Sequence, residues 1–562
     1  PNQPAEPTVQ LEFTPTSVSF GEARSRAVEL RNAGDESAGP VELVALGVTD
    51  AGGNEVPGAS LSVSPSEVAT LNAGVARALT LTLDVPGSVG SGDYDVDLEA
   101  RVGGEAAASL GTSFSVVQDE GPVIETLEIT GGASQARQGE VLSFAVSATD
   151  DQGQPVTDPM VTWRAEPAFS GLTTADGEYV GYSVGTARII AEAGGAADTV
   201  EVDVTSRDAP SGSFQVAWHE PVELRYTSDH WEHGDVAYTG TWGCRAVPGG
   251  QCGNTLYVWD ITVRTAPVLT DSIQVDARVV NDVKVRADGT LAIITHESSN
   301  DGLNGITLLD LADPLQPTVI TRFAAPDLSP GVHNVWIEGD YAYLVVDGAV
   351  PSSGLRVLDI SDPANPLIVA SFYGGGSFLH DVYVRDGLAF LSHWTTGLII
   401  LDVGNGVAGG SPTSPVEVSR IAVPGYDVHN AWYWPEAGYV FLGDEIAVPG
   451  RVLVIDVNDL SAPTQVASFT LAGAAPHNFW VDEDAGIAYF SWYENGIHAV
   501  DVSGRLLGEL DTLARQVASI QYDVGGACIA PSGTCSWAPQ LHDGLIYVSD
   551  LNSGLWVLQP TF

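Results

Sequence analysis

Lysine is almost missing from this 562-residue chain: it occurs once, at Lys284. Lysine and arginine together number 22 against 72 acidic residues, a formal net charge of −50. Phosphate binding needs clustered basic side chains, so no nucleic-acid partner is expected, and an anionic membrane surface would repel the chain. The acidic residues are scattered, not blocked, which reads as a solvated surface suited to a secreted or salt-exposed setting. No apolar run approaches ~18 residues, so no transmembrane segment is expected.

Cysteine is scarce as well, and its four copies form two close pairs, Cys244/Cys252 in CRAVPGGQC and Cys528/Cys535 in CIAPSGTC. Structural zinc favours tighter C-x₂₋₄-C spacing, so two local disulfides in an oxidising compartment are expected. The first 212 residues contain no histidine, no cysteine and a single tryptophan, Trp163. Chemistry is therefore sought in the remainder. PNQPAEPT, residues 1–8, reads as a processed or trimmed start and linker.

Residues 9–118 are strand-length runs such as AVELRN, ARALTLTLDVP and YDVDLEARV, punctuated by Gly, Pro, Asn and Ser. Regular short strands with such turns indicate a β-sandwich. DEGP at 119–122 is a break, and residues 123–206 repeat the style. This second segment resembles bacterial Ig-like domains in its ITGG opening, its VTW strand with Trp163 and its VGTARIIAEAGG hairpin. The resemblance implies a spacer or adhesive stalk. DAPSGS, 208–213, reads as a linker.

From about 214 a different unit recurs. Its first signature is a histidine, then Asn or Asp, an apolar residue and an aromatic: His333-Asn334-Val335-Trp336, His380-Asp381-Val382-Tyr383, His429-Asn430-Ala431-Trp432 and His477-Asn478-Phe479-Trp480. The copies lie 47, 49 and 48 residues apart. Its second signature is an apolar strand ending in Asp260, Asp310, Asp359, Asp402, Asp456 or Asp501, with Gln559 in a seventh copy. A repeat of this length with four strands per unit predicts propeller blades, seven of them over 214–562. After LWVLQPTF the last blade lacks its outer strand, which FQVAW at 214–218 would supply, removing an open edge. The predicted fold is all-β: two Ig-like β-sandwiches followed by a seven-bladed β-propeller. GLRVLDISDPANPLIVASF and DYAYLVV resemble the LVIVD-repeat propeller proteins of bacterial and archaeal surfaces, over roughly 214–562. That resemblance implies the fold and a secreted or cell-surface location, and says little about activity.

Equivalent positions in a ring converge on its axis, so the four histidines are expected at one channel mouth. Ser228, Asn281 and Trp537 align with them in the other three units. The ends of the second strands should border the same mouth, adding His296, Glu297, His393, Asp444, Glu445 and Asp550. Two readings follow. In one, the histidines are pins that fix loops by hydrogen bonds and were copied by duplication. In the other, His333, His380, His429 and His477 hold a transition metal, Fe, Mn, Cu or Zn, because imidazole with carboxylate suits those ions better than calcium. The Asn or Asp after each histidine would orient its ring.

Three motifs are set aside. Gly181-Tyr182-Ser183-Val184-Gly185 matches a nucleophile elbow but precedes a strand in a region without histidine. Gly404-Asn405-Gly406-Val407-Ala408-Gly409 matches a dinucleotide fingerprint but runs into GSPTSP, which cannot open a helix. Asp150, Asp151 and Asp158, like Asp482-Glu483-Asp484, read as hairpin tips rather than calcium loops. The leading functional expectation is a secreted or cell-surface (or periplasmic) binding or assembly protein, a propeller head on an Ig-like stalk, with other surface proteins or its own copies as partners. The alternatives are a metal-dependent oxidoreductase and a subunit of an extracellular filament or sheath.

Overall fold

The computed structural model describes residues 8–20, 25–56, 58–85, 89, 92–116, 123–207, 212–348, 353–423, 425–446, 449–523, 528–529 and 533–562. All but the last residue of the expected linker at 1–8, the break at 119–122 and most of the 208–213 linker lie outside them. The described residues form strands and one 3-10 turn, Pro326–Leu328, and no helix among them is long and apolar enough to cross a membrane.

The chain divides into two compact units. The first holds the described residues up to Arg207 together with Arg505–Arg515, a segment that lies inside the repeat region in sequence. It contains two pairs of β-sheets. In the first pair, Gly92–Val102 shows why the layers form: Tyr94, Val96, Leu98 and Ala100 alternate inward into one core with Leu30, Leu81 and Leu110. In the second pair, Trp163 packs beside Phe144 at 6.2 Å between ring centroids, over Ile189 and Val202. Within this unit Arg505–Arg515 is tied down by charge and backbone bonds. Glu509 pairs with Arg77, Arg505 with Glu178 at 2.5 Å, and the Arg515 guanidinium donates to the Gly139 carbonyl at 2.7 Å.

The second unit is built of antiparallel sheets that share one strand order. Among the described residues there are seven, consistent with propeller blades. Their innermost strands are Tyr226–His233, Val283–Val285, Val332–Glu338, Asp381–Arg385, Val428–Trp434, Phe479–Asp482 and Ser536–His542. The strands that follow are buried along most of their length, and Leu291–His296 and Leu388–His393 along all of it, because each sheet packs on both faces. One apolar cluster joins Tyr343 and Val345 of the third sheet to Ala389 and Leu391 of the fourth, and another joins Leu545 and Tyr547 of the seventh to Ala237 and Trp259 of the first. Outer strands face water and show it, Val268–Gln274 being mostly exposed.

The recurring aspartate has a local cause. At the ends of four third strands its carboxylate accepts the backbone N–H two residues on: Asp260 from Thr262, Asp310 from Ala312, Asp359 from Ser361 and Asp456 from Asn458, all at 2.8–2.9 Å. The side chain closes the turn that the backbone alone leaves unsatisfied. Phe214–Glu220 pairs antiparallel with Gly554–Pro560 and supplies the fourth strand of the seventh sheet. Both cysteine pairs are disulfides, Cys244–Cys252 and Cys528–Cys535, which fits a non-cytoplasmic compartment.

The shared strand order makes a prediction about the seam. Leu558 is fully buried and faces Val216 across it. Leu558→Ala should lower the unfolding free energy of this unit by about 2–5 kcal/mol, read from denaturant midpoints. A change below ~1 kcal/mol would mean the seam is not packed as described.

Candidate functional site

The innermost strands stack their residues in layers along one channel. The upper layer holds His333, His380, His429 and His477. Consecutive ring centroids are 4.7, 4.4 and 4.2 Å apart, and His477 continues onto Trp537 at 4.0 Å. Side chains at this level and the next reach from one sheet to the following one. Ser228 donates to the Val280 carbonyl, the Asn281 amide to the His333 carbonyl and the Asn334 amide to the His380 carbonyl. His380 Nδ1–H donates to the His429 carbonyl at 3.2 Å, and His477 Nδ1–H to the Trp537 carbonyl at 2.7 Å. His230 Nε2 reaches the Ala538 carbonyl at 2.8 Å, between the first and seventh sheets.

A carbonyl oxygen can only accept, so these bonds fix the proton of His380 and of His477 on Nδ1 and leave Nε2 with a free lone pair. Glu445 Oε2 lies 3.9 Å from His380 Nε2 and 3.8 Å from His429 Nε2, too far for a hydrogen bond. Two donors each about 2.1 Å from one ion can stand up to about 4.2 Å apart, so each of these two distances fits a pair of donors sharing one ion. The other Glu445 oxygen is held by the Tyr493 hydroxyl at 2.6 Å. Burial, reinforced by the neighbouring imidazoles, pushes His380 well below the usual histidine range. Burial also lowers His429 and, with His429 beside it, His477. All three rings are thus neutral at pH 7, the form that ligates metal.

The four histidines do not share one centre. His380 and His429 group with Glu445, while His333 groups with Glu297 and Asp347, its Nδ1 lying 2.7 Å from Glu297 Oε1. Burial opposes charge on His333, but Glu297, then Asp347 and Glu445, outweigh it and push its pKa up to about 9. Glu297, Asp347, Trp394 and Glu445 occupy one repeat position, immediately after the sixth residue of the second strand, and Tyr493 takes the aligned place two residues beyond the five-residue strand Ile487–Ser491. The sixth residue points between sheets instead. His296 bonds Thr307 at 3.1 Å, His393 lies against Gly374, Asp444 accepts the Asp427 N–H, and Asp550 accepts the N–H groups of Cys535, Asn552 and Ser553. The two-residue period of a strand separates these neighbours, and it was the signal for telling them apart in sequence. Trp394 and Tyr493 have φ of 35° and 31°, a region that bulky residues avoid, so both carry backbone strain at the mouth.

Below the histidines lies a layer that motif reading missed. The sole lysine, Lys284, is buried against Asp282 and lies 3.3 Å from Asp229, with its ammonium 5.1 Å from the Trp231 ring. It stands three residues after Asn281, where the other repeats place Trp336, Tyr383, Trp432 and Trp480. The aligned phrase therefore already put it in the aromatic layer. Those aromatics follow one another at 4.5, 5.3 and 4.8 Å, and Trp231 stands 6.1 Å from Trp480. Burial pushes Asp381 up to about 8, with Asp282 adding to it, although part of its surface faces the channel.

The glycine-rich loop at 404–409 is occupied by the protein itself: Asp402 accepts the N–H groups of Gly404, Gly406, Ala408 and Gly410. Ser183 of the elbow-like motif bonds the Phe169 carbonyl at 3.4 Å in the first unit. Asp150 caps its hairpin through the N–H groups of Gln152 and Gln154.

The LVIVD repeat family matches residues 331–373 and 379–423. These are the third and fourth sheets, and they carry His333 and His380. No curated protein matches the chain in sequence. Among solved structures, the C-terminal WD40 domain of Sif2 aligns at 13% identity with a TM-score of 0.40, covering 78% of this chain and 99% of that one.

Two outcomes are expected from the channel. Lys284→Met leaves Asp282 buried without its counter-charge and should destabilise the second unit by about 3–5 kcal/mol, measured by denaturant unfolding. Asp381 has a native pKa of about 8 against 3.8 ordinarily, so its contribution is fully present below pH 3.8 and is lost as pH rises through 8. Asp381→Asn should therefore match the parent at acid pH and exceed its melting temperature at pH 9. An unchanged gap across that range would contradict the assignment.

Proposed function

We propose that this protein is an extracytoplasmic binding protein whose seven-bladed propeller holds a divalent transition ion, Fe, Mn, Cu or Zn, at the channel mouth. His380, His429 and Glu445 are the ligands, and the two sandwiches are Ig-like spacer modules. The observation that carries the ion reading is the division of labour between ring nitrogens. Nδ1 of His380 is engaged by the next sheet's carbonyl, while its Nε2, that of His429 and one Glu445 oxygen converge without hydrogen-bonding one another. Pinning and ligation are then two uses of one side chain. A backbone carbonyl on the non-ligating nitrogen is the usual way a ligand imidazole is oriented. The two disulfides support an oxidising compartment. The net charge of −50 supports solubility there and attraction of cations.

The test is Cu²⁺ loading of the full, tag-free chain with electron paramagnetic resonance as readout. Couplings from two imidazole nitrogens on one ion are expected, and this two-nitrogen pattern should be lost in a folded His380→Ala/His429→Ala variant. Tyr493→Phe frees one Glu445 oxygen and should weaken affinity about 10–100-fold. Absence of a bound ion, or a two-nitrogen pattern that persists in the double variant, would overturn the reading.

A further inference from the structure

The mouth contains a second convergence of ligand atoms that shares no residue with the first. Glu297, His333 and Asp347 each offer one atom, and the three lie within 4.8 Å of one another. Glu297 and Asp347 follow the second strands of the second and third sheets, and His333 opens the innermost strand of the third. The fold that aims Glu445 at its imidazoles aims these two carboxylates at theirs. Among the described residues neither carboxylate is ion-paired to lysine or arginine, and Glu297 pairs with His333. Two carboxylates around one imidazole leave a net negative charge even when the ring is protonated. Glu445 adds to the field at His333. Partly buried, this excess is costly unless a cation resides there.

We infer that Glu297, His333 and Asp347 form a second divalent-cation site, beside the His380 site, so that the mouth takes two ions. The inference goes beyond the single-ion reading and stands or falls separately, because its ligands are different. The donor sets also differ in kind. Two imidazoles and one carboxylate suit zinc, copper or iron, whereas two carboxylates and one imidazole suit harder ions such as Mn²⁺. The His333 and His380 rings are 4.7 Å apart between centroids, so the two ions face the same small volume above the channel. Two neighbouring ions of that kind can clamp one anionic or oxygen-rich ligand between them. The ion in the second site takes the place of the proton between His333 Nδ1 and Glu297 Oε1.

The experiment counts ions. Full-length, tag-free protein is stripped with chelator, incubated with Mn²⁺ or with Zn²⁺, freed of unbound ion and measured by inductively coupled plasma mass spectrometry, with circular dichroism to verify folding. Two ions per chain are expected for the parent, one for Glu297→Gln/Asp347→Asn and one for His380→Ala/His429→Ala. Parent stoichiometry in a folded Glu297→Gln/Asp347→Asn variant overturns the inference, as does a parent that binds neither ion. A loss there, with no loss in His380→Ala/His429→Ala, keeps this site and removes the other. If the double variant fails to fold, Asp347→Asn alone, at a partly exposed position beyond the strand end, should weaken one of the two affinities at least tenfold by calorimetric titration. Two unchanged affinities would sink the proposal.

Discussion

The hydrogen bond from a side chain on one innermost strand to a carbonyl of the next sheet is the constraint on which the second unit depends. Antiparallel pairing satisfies the backbone within each sheet but leaves the inner strand ends facing the channel. There Ser228, Asn281, Asn334, His380, His477 and His230 bind carbonyls across the gaps between sheets. Each such bond is worth about 1 kcal/mol net, but a buried acceptor left unmet costs more. The bonds thus fix both the spacing of the sheets and the orientation of the rings. In the proposed reading they also decide the chemistry, since engaging Nδ1 leaves Nε2 for a ligand.

The electrostatics separate the channel into zones. At the top, burial and mutual repulsion keep His380, His429 and His477 neutral, while Glu297 and Asp347 draw positive charge onto His333. Below, the only lysine of a very acidic protein is confined with Asp229 and Asp282 beneath the histidines. Removing a member of that group costs stability more than it alters the mouth. The aromatic layer beneath closes around Trp231, so the mouth and the lower channel are chemically distinct.

Much of the second unit was legible because duplication writes itself into sequence. The His-Asn/Asp phrase located innermost strands, the terminal Asp located third strands, and FQVAW pointed to the seam strand that pairs with 554–560. What escaped had physical causes. His296, His393, Asp444 and Asp550 differ from the mouth residues by one strand position, and hydropathy does not set that parity when both faces of a sheet are buried. Arg505–Arg515 joins the first unit through Arg77, Glu178 and Gly139, partners hundreds of residues away that no local pattern could announce. Whether four equivalent histidines share one centre depends on the channel's width. In the structure His380 and His429 group with Glu445, and His333 with Glu297 and Asp347.

The most direct test of the account is the tautomeric state of the histidines, read by ¹⁵N nuclear magnetic resonance of the full chain labelled in its imidazoles, before and after addition of Zn²⁺. The account predicts His380 and His477 as Nδ1–H tautomers without metal, with the Nε2 resonances of His380 and His429 shifting on addition. Nε2–H tautomers for these rings, or resonances indifferent to the ion, would contradict it.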